Sequence, residues 1–322
     1  MKKILITGVS GFIGTHLAKY LQKKYQVIGI DKVLPDKPIQ FVEYYQEDIN
    51  DKPAFRNRVY AVIHLAAKAG VRESQKKFDE YVHDNILGTK SVLDNCVKYW
   101  KPKKILVASS SSVYGDGESL PMREDNHRQP KSLYAMSKCA TEDICASYRN
   151  SGLLTCPICC MRIFTVFGPN QRDGLAIGNF IDAMLRGEYM TIYGDGNQSR
   201  DFTYVLDLCK MIDRLLDKNT LHSVLNMGLG ITYSLHDIIY KLAVITKCPI
   251  LKTHIPRDPQ DAMQTWSDTM YLDYYIEGIT PTPIDKALEA QVDEARRNIN
   301  DEYLWHGETP PWRNVEKYAI SC

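Results

Sequence analysis

A chain of 322 residues can bury one large core or two modest ones, and its 44% hydrophobic and 25% charged residues are ordinary for a globular protein. With 40 basic side chains against 39 acidic ones the net charge is +1, so neither a nucleic acid nor a membrane surface is expected as the main partner. No apolar stretch approaches the roughly 20 residues that a bilayer span requires.

The first residues, MKKILITGVSGFIG, set two lysines before an apolar run, as a signal peptide does. Gly8, Gly11 and Gly14 break that run and no small-residue cleavage site follows, so the segment is read as the start of a cytoplasmic fold. Residues 4–7 are a strand candidate that meets the glycines, and 12–24 carry helical periodicity through Phe12, Ile13, Leu17 and Leu21. A second strand is expected over 26–30, closing on Asp31, with others over 41–45, 61–65, 104–108, 154–162 and 224–227. Helices are expected near 85–99, 133–150 and 205–217. Strands alternating with helices predict an α/β fold, a Rossmann-like doubly wound parallel sheet. From about residue 170 the order changes: 169–174 and the glycine-rich 193–201 look like loops. A helix over 235–246, a proline-bearing segment at 249–259 and a helix over about 284–298 follow. This last third is expected to form a smaller α/β domain interleaved with the first.

The nine cysteines are an odd number scattered through periodic segments, which implies free thiols in a reducing compartment. Cys156 and Cys159 have C-x-x-C spacing, but no second pair and no histidine stand at ligand spacing, so they are read as part of a buried strand and no metal is expected.

The glycines of TGVSGFIG follow a strand and open a helix, the context in which Gly8, Gly11 and Gly14 form a phosphate-binding turn. Glycine lets the backbone turn tightly and approach a pyrophosphate, while the helix N-terminus attracts the anion. Asp31, at the end of the next strand, can accept both ribose hydroxyls of an adenosine and would repel a 2′-phosphate, so NAD is expected over NADP. Asp48, with Ile49, follows the third strand and either meets the adenine or is a surface carboxylate.

At 109–115 a buried strand runs into SSSSVYG, and some twenty residues later Tyr134 and Lys138 share one helical face. An ammonium beside a phenol lowers the phenol's pKa from about 10 toward neutrality. Tyr20 and Lys24, and Tyr99 and Lys103, have the same spacing, but neither pair lies near the nucleotide and both are taken as coincidence.

TGVSGFIG, HLAA at 64–67, AGVR at 69–72, SSSSVYG, SLYAMSK, RIFTVFGP at 162–169 and YGDGNQSRDFTYV at 193–205 occur in one order. Together they make residues 1 to about 270 resemble an extended short-chain dehydrogenase/reductase acting on nucleotide sugars, nearest the UDP-glucuronate 4-epimerase branch. The resemblance implies NAD as cofactor, a UDP sugar as substrate and a homodimer pairing the helices at 85–99 and 133–150. Of Leu87, Val92, Cys96 and Tyr99, each is either interface or ordinary core. It implies catalysis by Ser110, Tyr134 and Lys138. It adds Phe12, Ile13, Leu65, Ala66, Ala67, Lys68, Asn85, Ser109, Ile163 and Val166 to the cofactor contacts. Toward the sugar nucleotide it implies Arg72, Ser110, Ser111, Ser112, Tyr134, Thr165, Arg172, Arg200, Arg257 and Asp261. Arg72 and Arg172 are alternatively surface salt bridges. The chain departs from the branch at Asn170-Gln171, Asp173-Gly174 and 257–262, so the loop over the hexose and the register of the last loop stay open. The expected division is an NAD-binding domain of 1–169 plus about 200–232, and a nucleotide-sugar domain of 170–199 and 233–322.

In related dehydratases Ser111 and Ser112 are replaced by an Asp-Glu pair, and in related decarboxylases the second is a glutamate. Serine cannot take a proton from carbon at neutral pH, so C4 epimerisation of a UDP-hexuronate through a keto sugar is the expected reaction. Epimerisation of UDP-glucose or UDP-N-acetylglucosamine, a dehydratase or decarboxylase, and a non-catalytic NAD-binding sensor or scaffold are the alternatives.

Overall fold

The structure is a computed structural model that describes residues 1–305 and residue 312. Its centre is a seven-stranded sheet built from β1 (Lys3–Thr7), β2 (Gln26–Asp31), β3 (Val42–Gln46), β4 (Ala61–His64), β5 (Lys104–Ser110), β6 (Ile158–Ile163) and the later β10 (Val224–Met227). Every pairing is parallel, in the order β10-β6-β5-β4-β1-β2-β3. The order reverses between β1 and β4, and a crevice for a ligand opens at the carboxyl ends of the strands at such a reversal.

The strands are apolar because both faces are covered. Ile4 and Ile6 of β1 pack on one side with α1 (Phe12–Leu21), whereas Leu5 packs on the other with Val92, Leu93 and Trp100. Cys159 and Cys160 go to opposite faces in the same way. The helical run expected at 85–99 is longer and broken. It comprises α2 (Val71–Lys76), α3 (Phe78–Tyr81), a π turn at Val82–Leu87, α4 (Gly88–Asn95) and a second π turn at Cys96–Trp100. Val92 and Cys96 are fully buried in the core, so only Leu87 and Tyr99 of the four considered keep any exposure. Next, α5 (Leu133–Asn150) begins behind Ser132, whose hydroxyl caps the Ala135 amide.

Two expectations about strands need correction. β6 begins at Ile158, four residues later than expected, just past Pro157, which has no N–H for the ladder. The stretch 193–201 is loop only over 194–198: β8 (Met190–Tyr193) and β9 (Ser199–Tyr204) flank that turn. β9 pairs with β7 (Thr165–Phe167), β11 (Thr232–Ser234) and β13 (Gln264–Thr265), while β12 (Lys252–Ile255) pairs with β8. Around these small sheets lie α6 (Ala176–Arg186), α7 (Val205–Asp217), α8 (Leu235–Thr246), α9 (Met270–Ile276) and α10 (Ile284–Trp305). Lys24 lies beyond the end of α1 and pairs with Asp213 and Asp217 of α7, which removes the Tyr20/Lys24 pair from any shared helical face.

Candidate active site

Glycine is required at two places in the first turn. Gly8 has φ +73°, and a Cβ there would stand 2.5 Å from the Ala66 amide nitrogen. A Cβ on Gly14 would stand 2.0 Å from the Gly8 carbonyl oxygen, so α1 can start this close only without a side chain. Gly11 is different: its nearest neighbour would be the Gly8 oxygen at 3.4 Å, leaving its outer side open for a ligand's backbone approach. Asp31 is held by the Ser10 amide at 2.9 Å and the Val33 amide at 3.3 Å. Gly8, Gly11, Asp31, Ile49, Leu65, Ala66 and Ala67 line a cleft of about 440 Å³. A cleft with bare backbone at a helix N-terminus and a fixed carboxylate on its wall fits a dinucleotide.

Phe12 and Ile13 open α1 and lean on the core, and Ile163, at the end of β6, and Val166, within β7, are part of it. Asp48 stands 3.1 Å from the Lys32 ammonium and accepts from the Asn50 amide, so its carboxylate is engaged within the protein. Lys68 pairs with Glu80. Asn85 is a hub: its amide bonds both Lys68 backbone groups, at 2.7 and 3.0 Å, and the Ser137 hydroxyl on α5 at 2.9 Å. It thereby joins the loop after β4 to the helix that carries Tyr134. Ser109 turns away from the cleft and donates to Glu142 at 2.6 Å.

Ser110 caps the short 3₁₀ turn Ser111–Tyr114, accepting from the Ser112 amide and donating to the Ser112 hydroxyl at 3.1 Å. Ser111 is buried and Ser112 half-buried. Tyr134 sits in the first turn of α5, its ring edge-on to Tyr81. Burial raises its phenol, against the Ser110 hydroxyl and the Arg172 charge, which pull it down. This corrects the expectation that Lys138 lowers the phenol. The Lys138 ammonium donates to the Ala108 carbonyl at 2.8 Å, and burial drops its own pKa to about 8.

Facing this wall are the loops of the small sheets. Arg172 donates to the Ala69 carbonyl at 3.2 Å, and Thr165 begins β7. The Arg72 guanidinium carbon lies over Tyr193, 3.6 Å from the ring centre, with Asp261 at 2.8 Å and Asp258 at 3.7 Å. Asp261 therefore gives its carboxylate to Arg72, while Arg257 donates to the Asp261 carbonyl. Among the described residues Arg200 donates only to the backbone carbonyls of Ser199, Ala262 and Met263, and burial lowers its pKa. Such a half-buried cation with no bonded carboxylate suits an anionic ligand. Sequence reasoning passed over His64, Glu142 and Arg162, because an isolated polar residue within an apolar strand or amphipathic helix carries no pattern.

The parallel sheet, the glycine turn at its reversal point and a tyrosine–lysine helix beside a serine strand define a dinucleotide-dependent enzyme of the Rossmann class. The family model described as "NAD dependent epimerase/dehydratase family" matches residues 4–228. The chain belongs to that family, and its coenzyme is NAD. It is 31% identical to a UDP-glucuronate 4-epimerase of Thermodesulfobacterium geofontis, over 92% of this chain and 96% of that one. The solved structure of UDP-glucuronic acid 4-epimerase from Bacillus cereus, in complex with UDP-glucuronic acid and NAD, superposes with a TM-score of 0.84 at 33% identity, over 92% and 99% of the two chains. A UDP-N-acetylglucosamine 4-epimerase from Methanobrevibacter ruminantium, in complex with UDP-N-acetylmuramic acid, also gives 0.84, at 28% identity over 92% and 99%.

Proposed function

We propose that the protein is a nucleotide-sugar 4-epimerase that interconverts UDP-glucuronate and UDP-galacturonate. The observation that carries this reading is the Ser110–Ser112 block beside Tyr134: two of its hydroxyls, Ser111 and Ser112, stand where proton abstraction from carbon would need a carboxylate. NAD, when bound, would supply the hydride acceptor and donor for C4. Gly8, Gly11, Gly14 and Asp31 hold the dinucleotide. Tyr134 takes the O4 proton as C4 becomes a ketone and returns it when the ketone, turned over, is reduced from its other face. Ser110 aligns O4 toward the phenol, and the Lys138 ammonium would hold the ribose of the dinucleotide and through it support the phenolate.

Thr165, Ser111, Ser112 and Arg172 offer hydroxyl and guanidinium donors to a uronate carboxylate. The keto intermediate is a β-keto acid, and donors that hold its C5–C6 bond near the plane of the ketone, out of line with the carbonyl π system, keep it from losing CO2. Arg200 and Arg257 take the diphosphate, with Arg72 and Asp261 parting to admit it. Residues 1–169 with about 200–232 would hold NAD, and 170–199 with 233–322 the nucleotide sugar; most of 306–322 lies outside the described residues. A cytoplasmic homodimer completes the proposal. All eight described cysteines are free, which suits a reducing compartment.

The test incubates the NAD-loaded protein with UDP-glucuronate, UDP-glucose and UDP-N-acetylglucosamine and follows products by NMR. UDP-galacturonate without UDP-pentose is expected, and Tyr134→Phe should lose at least a thousandfold in kcat while keeping its NAD. A UDP-pentose, a 4-keto-6-deoxy sugar, or turnover confined to the neutral sugars would overturn the assignment.

A further inference from the structure

Beneath the serine block lies a buried ion pair that the reaction does not use. Glu142 is four residues past Lys138 and eight past Tyr134, on the same face of α5. Its side chain, like those of Arg162 and Ser109, is almost fully buried. Arg162 grips Glu142 with two bonds, Nε to Oε1 at 2.9 Å and Nη2 to Oε2 at 2.8 Å. Ser109 donates to the same Oε1 at 2.6 Å. Ser109 and Arg162 are register partners on adjacent parallel strands, so both side chains leave the sheet toward α5. The guanidinium also lies 4.6 Å from the centre of the Tyr114 ring, and Tyr114 is anchored by its hydroxyl to Asn226 at 2.6 Å. Arg128 approaches Glu142 from the remaining side at 3.5 Å and spends its other arm on Asp143.

Ser109 and Tyr114 are the residues on either side of Ser110–Val113. Both ends of the serine block are thus tied to one carboxylate on the helix that carries Tyr134 and Lys138. We propose that Glu142 and Arg162 are positioning residues that set the spacing between the Ser110 hydroxyl and the Tyr134 phenol, with Ser109 as the link. Glu142 is about 12 Å along the helix from Tyr134. It acts through the placement of strand against helix, since the paired charges of Glu142 and Arg162 cancel at that range. The kinetic part of this proposal rests on the epimerase reading; the structural part does not.

The test uses full-length NAD-bound protein carrying Ser109→Ala, Glu142→Gln, Arg162→Met and the double Glu142→Gln/Arg162→Met. The titration of the Tyr134 phenol is followed by NMR of ring-carbon-labelled tyrosine, assigned with Tyr134→Phe, alongside kcat, KM and NAD content. If the pair positions, every variant shifts the phenol upward as the Ser110 bond weakens. The ion-pair variants then lose at least tenfold in kcat and Ser109→Ala at least threefold, with KM and NAD content within threefold of wild type. If the pair acts only by charge, Glu142→Gln moves the phenol down, Arg162→Met moves it up, and the double variant restores it; that pattern overturns the proposal. Unchanged titration and kcat in Ser109→Ala and the double variant also overturn it. Should the single charge variants fail to fold, those two decide, because neither leaves an unpaired buried charge. Should wild type turn over no UDP sugar, the epimerase reading falls and the phenol titration still decides the positioning role.

Discussion

At the scale of single residues, hydrogen-bond inventory settles states that charge alone leaves open. His64 is buried between two threonines, Nδ1 at 2.7 Å from Thr7 and Nε2 at 3.2 Å from Thr89. Thr89 spends its proton on the Asn85 carbonyl at 2.6 Å, so Nε2 must carry the imidazole proton and Nδ1 must accept from Thr7. Burial, with a smaller push from the Lys138 charge, lowers the His64 pKa to about 3. In the unfolded chain it is about 6.5. Between those values the unfolded chain binds a proton that the folded one refuses, so stability falls as pH falls through that window. Between pH 7 and 5 this one group should cost about 2 kcal/mol. Urea unfolding at both pH values should show that loss in wild type and not in His64→Gln; equal slopes for the two proteins would remove His64 as the cause.

At the scale of elements, the glycine turn and α1 are one unit whose glycines do different work. Gly14→Ala drives a methyl to 2.0 Å from the Gly8 oxygen, so the helix must back away from the turn. Overpacking of that kind costs about 1–3 kcal/mol. Gly11→Ala meets nothing closer than 3.4 Å within the protein and should fold normally, but its methyl projects to the side left open for the dinucleotide. Thermal unfolding of the NAD-stripped proteins should therefore separate the two variants, while NAD content falls at least tenfold in both. A lowered melting point in Gly11→Ala would mean that its open side is needed for folding instead.

For the whole molecule, the small sheets are fastened to the loop after β4. Arg72, from the loop after β4, reaches Asp258, Asp261 and Tyr193 of the small sheets, and Arg172 reaches back to Ala69. Assembly is the second property at this scale. With Val92 and Cys96 in the core, Leu87, 48% exposed, is the apolar group that the helical run still offers a partner. Sedimentation at micromolar concentration should give a dimer for wild type and a monomer for Leu87→Glu. A wild-type monomer would remove the homodimer, and a dimer unaffected by Leu87→Glu would place its interface elsewhere.

What the sequence determined by itself is whatever depends on neighbours along the chain. The helix over 133–150, the strand 224–227 and the helix over 235–246 match their observed limits, because each is apolar at one clear period and bounded by a break. The glycine turn and Asp31 were legible too, since tight turns and strand ends are local. β9 was not: Ser-Arg-Asp-Phe-Thr-Tyr reads as polar until β7, β11 and β13 close around it. The α6 helix was overlooked although Ile177, Phe180, Ile181, Met184 and Leu185 give it a helical stripe. The partners of charged and hydroxylic groups also lay beyond local reach. Ser109 faces Glu142, Asp261 faces Arg72, and Lys138 reaches a backbone carbonyl rather than the phenol one turn away. Spacing in a helix says which side chains share a face; only the packing of strand, helix and cap decides which buried group each must satisfy, because a polar atom taken from water binds whatever the fold brings within 3 Å.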